Sequence, residues 1–573
     1  MNSLLIIILS FAGYILAYNT YGKYIGRKLF SKGSGAQMPS HKFYDGIDYV
    51  PTRKNIIFGH HFTTIAGLGP IVGPAIGIIW GWLPALLWIF LGSIFMGAVH
   101  DFTSFIVSAR NDGKTIGELT GKIISPSARL AFQFIMQLLL FIVLAVFATI
   151  VATLFKMYPE SVIPVWFQIP IAVWLGWMLR KGKNDLVYSI IAILLMYGSI
   201  IAGVHFPVVL PLEGNTMIVT WCVILFIYVF FASTIPVQKL LQPRDYINSH
   251  QLLVAMVMMV LGFVISRPEI IAPAINQKAF APGNDVPSIA PVMFIIIACG
   301  AISGFHSLAS SGTTVKQVDR EKDGFFITYG GMLTESFLAV LVLMAIAGGL
   351  GLGLVKNGEM LTGKDAFFAH YSSWSAANGL GAKLEAFITG TANLFARIGI
   401  PEKYGVSIVT VFIVSFANTT LDSATRIQRL SLQEIVRKRT GEIYKPFDNR
   451  YFSTFLVVSA AAVMTFLKPG GQGAMLLWPL FGSLNQLLAA LALGVVSLYL
   501  YFRKVNILYT FIPMISVLVI TVWAMFENLL GFIKGGDIIL TTISVLIILL
   551  TLMLVITGLL SVRGRKSVAD GKS

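Results

Sequence analysis

Charged residues are scarce in this sequence. Asp, Glu, Lys and Arg make up 12% of its 573 residues while 56% are hydrophobic, against about a quarter charged in soluble domains. A water-soluble globular protein is excluded on composition. Only two cysteines occur, Cys222 and Cys299, each inside an apolar run and without a paired spacing, which excludes a disulfide framework and a zinc ribbon. No Walker loop, His-Glu-x-x-His helix or Gly-x-Ser-x-Gly elbow is present, so the common enzyme signatures are missing. The start of the chain lacks a basic region and a small-residue cleavage site, which predicts a retained helix. A net charge of +16 is spread over short loops rather than gathered in a patch, pointing to lipid and not nucleic acid as the surrounding partner.

What the chain does contain is a succession of apolar runs of 18 or more residues between positions 3 and 562. Lipid bonds no backbone amide, so runs of this length must span as helices. The expected fold class is an all-α polytopic membrane protein, a single transmembrane domain over residues 1–573 with about fifteen helices. Short cytoplasmic loops should be rich in Lys and Arg. With the N-terminus outside and the C-terminus cytoplasmic, roughly thirty of the 42 Lys and Arg fall inside. The membrane is then a bacterial inner (cytoplasmic) membrane. This alternation requires that residues 355–404 form an extracytoplasmic loop whose amphipathic stretch from Ala382 to Ile398 is a surface or re-entrant helix. It also makes 426–451 a basic cytoplasmic loop and 563–573 a cytoplasmic tail.

Residues 56–354 carry most of the motifs. The second span contains Phe62 to Gly77, FTTIAGLGPIVGPAIG, whose glycines and prolines predict a broken helix. The seventh, at about 215–235, is expected to be interrupted at Phe231 to Pro236. Two interrupted, antiparallel helices point to an inverted-repeat transporter with a midplane site, although Gly and Pro also serve close packing in membrane helices.

Ionisable groups at membrane depth are costly and so are candidates for function. They are His60 and His61, His100 and Asp101, Arg244, His306, Glu335 and Asp422. Each also has a plainer reading. His60 and His61 lie about 100° apart on a helix and do not face one point. Asp422 and Arg426 have the spacing of a helix ion pair. His100 and Asp101 are either an orienting pair or locally solvated. Glu335 lies well inside the tenth span, where a carboxyl suits a proton carrier. Ser310, Ser311, Thr313 and Thr314 either ligate sodium or satisfy an unwound helix end.

Several segments resemble the carbon-starvation (CstA) family of peptide and pyruvate transporters. They are Asp45-Gly46-Ile47-Asp48-Tyr49-Val50-Pro51-Thr52, Phe58-Gly59-His60-His61-Phe62, Gly97-Ala98-Val99-His100-Asp101-Phe102, Pro243-Arg244-Asp245-Tyr246, Ser303-Gly304-Phe305-His306 with Ser310-Ser311-Gly312-Thr313-Thr314, Tyr329-Gly330-Gly331-Met332-Leu333-Thr334-Glu335-Ser336-Phe337 and Trp478-Pro479-Leu480-Phe481-Gly482-Ser483-Leu484-Asn485-Gln486. The resemblance covers about residues 40 to 500 and departs at His100, where many members carry glutamine. It implies a 5+5 inverted-repeat, leucine-transporter-like core of the amino acid, polyamine and organocation superfamily, with extra helices. It also implies uptake of peptides or small carboxylates under carbon starvation, coupled to protons or sodium. The ninth span would match the eighth core helix, making Thr313 and Thr314 sodium candidates.

Two functions compete. In a secondary transporter, His60, His61, Arg244, His306, Ser310, Ser311, Thr313, Thr314, Glu335 and Asp422 would form the substrate and ion sites, with Arg244 or the broken-helix N-termini receiving a carboxylate. In a redox-active membrane metalloprotein, His60, His61, His100, Asp101, His306, Glu335 and Asp422 would ligate zinc, iron or a non-covalent haem. The transporter is no enzyme, whereas the second reading would allow redox catalysis.

Overall fold

The computed structural model describes residues 2–30, 37–182, 184–281, 283–437 and 442–569. Lys183, residues 438–441 of the expected basic loop and 570–573 of the expected tail lie outside them. Among the described residues, twelve helices are long and apolar enough to cross a membrane, thirteen when one bent pair is joined. In chain order they begin with α1 (Ser3–Phe30), the bent pair α2 (Lys54–Ile65) and α3 (Gly69–Gly77), and α4 (Trp82–Ala109). Then come α5 (Pro126–Met157), α6 (Val162–Arg180), α7 (Asp185–His205), α8 (Gly214–Thr234) and α9 (Leu241–Ser266). A string of short helices follows, α10 (Ile289–Ile296), α11 (Ala298–Ala301) and α12 (Gly304–Gly312), before α13 (Gly324–Ala347), α14 (Leu380–Arg397) and α15 (Glu402–Ile435). The chain closes with α16 (Arg450–Phe466), α17 (Trp478–Phe502), α18 (Leu508–Lys534) and α19 (Ile538–Ala569). The expected count of about fifteen is not reached, because α16 has only 17 residues and the ninth span is made of pieces.

Helices α5, α13, α15 and α17 form the centre, with at least 83% of their apolar windows buried. By contrast α18 and α19 bury about a third, and their exposed side chains include Ile512 and Val519 on α18 and Leu552 and Leu559 on α19. An outward apolar face is stable only against lipid.

Loops at each end of the bundle bond to one another. At one end Arg110 pairs with Glu321 and donates to the Phe30 carbonyl, Lys42 pairs with Asp112, and Arg180 donates to the Gln238 carbonyl. At the other, Ser3 bonds Pro268, Ile271 bonds Ala347, and the Trp80 and Trp374 rings lie 5.5 Å apart. The basic loops therefore share one end.

The bend between α2 and α3 is 42°. Pro70 has no amide hydrogen to give, and Gly67 and Gly69 flank the turn. A Cβ on Gly69 would lie 2.2 Å from Cys299, and one on Gly73 2.8 Å from the Ile296 carbonyl oxygen. The glycines let α3 meet a second break, between α10 and α12, where Ile302 and Ser303 are extended. Asn485 of α17 holds that break open: its Oδ1 accepts from the Phe305 amide at 2.9 Å and the Ser303 hydroxyl at 3.1 Å. The second interruption is thus in the ninth span and not the seventh. Helix α8 runs unbroken to Thr234, because Pro236 forces Ile235 extended and ends the helix rather than kinking it.

Of the two expectations for α14, a surface or a re-entrant helix, the burial of Leu384, Phe387, Ile388 and Phe395 beside α15 and α3 disagrees with the first. Helix α15 continues ten residues past the expected end of the eleventh span at 425, so Arg426 and Arg429 belong to it and are buried. Arg426 does not pair with Asp422. It binds Asp48 at 2.6 Å, which also accepts from Arg429 at 3.0 Å, and it donates to the Ile235 carbonyl. Burial raises the Asp48 carboxyl pKa, but the Arg429 and Arg426 guanidiniums override it and hold the group below the usual carboxylate range.

Replacing Gly73 with Ala should destabilise the purified protein by about 1–3 kcal/mol through overpacking against backbone. Gly198→Ala on α7, which meets nothing within 4 Å, should stabilise by about 0.5–1 kcal/mol; melting curves in detergent check both. Asp48→Asn leaves two buried guanidiniums without a counter-charge and should cost ~3–5 kcal/mol at neutral pH. Because the folded pKa is depressed, the Asp48 contribution is complete above its unfolded value of about 3.9 and is lost as pH falls below it. A pH series of melting curves should show that acid-labile component in the native chain and not in the variant.

Candidate functional site

Beside the α2–α3 break, helix α2 presents two imidazoles to different neighbours. His60 Nδ1 is 2.5 Å from Asp245 Oδ2 on α9, and His61 Nδ1 is 2.9 Å from the Thr314 hydroxyl just after α12. Gly59 and Gly331 make this close packing possible: a Cβ on Gly59 would meet Ser249 Oγ at 2.7 Å, and one on Gly331 would meet the His61 ring at 3.1 Å. The expected polar residues consequently fall into two buried groups.

The first group joins α2, α8, α9 and α15. Arg244 lies 2.5 Å from Asp422 Oδ2 and 3.8 Å from Asp245 Oδ1. It donates to the Thr419 hydroxyl at 3.1 Å and to the Tyr228 hydroxyl, which in turn donates to Asp422 at 2.9 Å. Asn248 adds a bond to Thr419 at 2.9 Å. Both terminal nitrogens of Arg244 are thus engaged by protein. On the far side of His60, Gln317 approaches Nε2 at 3.3 Å and receives Gln242 at 2.6 Å.

The second group joins α4, α12 and α13. Asp101 accepts from His100 Nδ1 and from His306 Nδ1, each at 3.0 Å. His306 Nε2 lies 3.3 Å from Glu335 Oε2, but the geometry is not that of a hydrogen bond, and neither Glu335 oxygen has a hydrogen-bond partner. Histidines are the only basic side chains within ion-pairing distance of Asp101 and Glu335 among the described residues. All four side chains are fully buried.

The hydroxyl run divides as well. Ser311 donates to the Ser307 carbonyl at 2.6 Å and accepts from the Ile116 amide, Thr313 donates to the Ala309 carbonyl at 3.1 Å, and Ser310 Oγ is buried without a partner. The hydroxyls that border the first break come instead from α15. Thr420 lies 3.4 Å from the Thr64 carbonyl, and Ser423 bonds the Thr64 hydroxyl at 3.2 Å. Thr420, Ser423, Tyr228, Gln317 and Asn485 carry no charge and escape a search for ionisable residues; Asn485 alone lay in a segment of the family resemblance.

The set expected to ligate metal does not assemble. Among the described residues no three His, Cys, Asp or Glu side chains converge as a ligand set. The Nδ1 atoms of His60, His61, His100 and His306 are committed to Asp245, Thr314 and Asp101, and Asp422 is committed to Arg244. Nothing in this geometry supports a zinc, iron or haem centre.

Above the two breaks, a cavity of about 200 Å³ is bounded by α3, the α10–α11 turn, α14 and α17. At the basic end a larger one, about 720 Å³, is lined by charged side chains that include Asp48, Lys316, Arg429 and Glu434.

Comparison with solved structures gives MhsT in complex with L-phenylalanine, 12% identical with TM-score 0.49 over 83% of this chain and 99% of that one. The manganese transporter of Eremococcus coleocola is 11% identical with TM-score 0.48 over 91% and 99%. Among curated sequences, the "Peptide transporter CstA" of Campylobacter jejuni is 31% identical, covering 94% of this chain and 82% of that protein. The "Pyruvate/proton symporter BtsT" of Escherichia coli is 32% identical over 92% and 81%. The family model described as "Carbon starvation protein CstA" matches residues 2–524, and the chain belongs to that family.

Proposed function

We propose that this protein is a secondary active transporter of the bacterial inner membrane that imports a small carboxylate or peptide together with protons, its Lys- and Arg-rich end facing the cytoplasm. Transport, not catalysis, is the reading that suits a polytopic chain whose curated relatives are named for peptide transport and pyruvate/proton symport. The observation that carries the proton assignment is the charge balance of the two buried groups. Among the described residues the basic side chains facing Asp101 and Glu335 are histidines, and Arg244 faces two carboxylates, Asp245 and Asp422. With neutral imidazoles both groups would be negative, and net charge in a low-dielectric interior is costly. Charge balance therefore favours bound protons within each group.

The second group borders the broken helices through His306 on α12 and Glu335 on α13, so a proton gained or lost there changes the fit between those helices. Arg244 orders the first group in this scheme, since its terminal nitrogens are already occupied. Rocking of the discontinuous helices then exposes the site alternately to the two sides.

In proteoliposomes, Glu335→Gln and Asp101→Asn should lower pH-gradient-driven accumulation at least about tenfold, as expected when a transport proton loses its carrier. Exchange of labelled for unlabelled substrate, which needs no net proton movement, should persist in at least one of them. Accumulation at the native level in both variants would remove the assignment.

A further inference from the structure

Lys383 has no part in either polar group, yet it is 4% exposed and lies at the wall of the 200 Å³ cavity. Among the described residues no carboxylate pairs with it, and its ammonium instead stands 5.2 Å from the Trp478 ring. A buried ammonium without a counter-ion is unfavourable, so the amine either sheds its proton or is met by a ligand of opposite charge. It is also the one formally charged side chain among those lining this cavity. The cavity is also lined by Gly69 and Cys299, at the two helix breaks, and by Asn485, which holds the second break open. Trp374 borders the same space and is fixed by Asp285, whose carboxylate accepts the Trp374 amide at 2.8 Å and the Ser375 amide at 2.9 Å. A ligand here touches both discontinuous helices at once.

We propose that Lys383 receives the carboxylate of the transported substrate, and that this cavity selects a small monocarboxylate without an ammonium group over a zwitterionic amino acid or peptide. The assignment rests on the transport reading above and deepens it. The cavity presents one cation, aromatic rings and side-chain amides, but no carboxylate, so a substrate ammonium would find no ionic partner and would be brought toward Lys383. Its volume, about 200 Å³, is sufficient for a three- or four-carbon acid.

Tryptophan fluorescence of the purified full-length protein in detergent, titrated with pyruvate, with uncharged pyruvamide and with dialanine, tests this. Pyruvate should bind at least about tenfold more tightly than either control, the ratio expected for loss of one charge-assisted contact. Lys383→Met should weaken pyruvate by about the same factor, and Lys383→Arg should retain it. Equal pyruvate affinity in a folded Lys383→Met protein, tighter binding of dialanine, or no pyruvate binding to the native chain would each overturn the proposal. If Lys383→Met does not fold, the native pyruvate-to-pyruvamide ratio decides, and parity overturns it. Intact pyruvate binding without gradient-driven uptake would refute the transport reading while supporting the Lys383 site.

Discussion

A helix that unwinds inside a bilayer exposes amide and carbonyl groups for which lipid offers no partner, so the protein has to supply them. Here two unwound segments, Ala66 to Leu68 and Ile302 to Ser303, are set side by side and partnered by neighbours. Asn485 reaches in from α17 to take an amide and a hydroxyl, and Thr420 lies beside the Thr64 carbonyl. The glycines at 69 and 73 exist in that context to bring the segments within contact, since any side chain on Gly69 would overlap Cys299. The central helices α5, α13, α15 and α17 form the rigid surround that this arrangement requires.

Polarity inside that surround is distributed with the same economy. Within the two polar groups each charged side chain has a neighbour of opposite or basic character, but not every atom is bonded: His61 Nε2, His100 Nε2, Asp245 Oδ1, Asp422 Oδ1 and both oxygens of Glu335 have no hydrogen bond. Apolar replacements of similar volume are often neutral or stabilising at such positions. Partly satisfied groups of this kind are a stability liability, and their concentration beside the breaks, away from the apolar bundle periphery, fits a site that changes its bonding as it works.

Much of this was legible in the sequence, for physical reasons that differ from one element to another. The spans declared themselves by length and apolarity, and the α2–α3 break by Pro70 among glycines, because proline removes a bond wherever it sits. The α10–α12 break is different: IIIACGAISGFHS contains no proline, and what unwinds it is Asn485, nearly two hundred residues away in the chain. Phe231 to Pro236 carries the stronger local signal, yet there proline coincides with a helix end. The ionisable residues were visible as a list, but their grouping was not. Asp422 has its helix neighbour Arg426 four residues on and still pairs with Arg244, while Arg426 is drawn to Asp48 from a loop nearly four hundred residues earlier. Lys383 was hidden within an amphipathic stretch, where a lysine ordinarily marks the wet face.

His60 and His61 are consecutive residues on one turn of a short helix that ends at the first break. One imidazole is tied to α9 and the other to the segment after α12, in divergent directions. Twisting α2 about its own axis by a few tens of degrees stretches one tether as it slackens the other. The turn therefore ties the two flanks through one rigid element, so that a change of bonding on one bears directly on the bonding of the other.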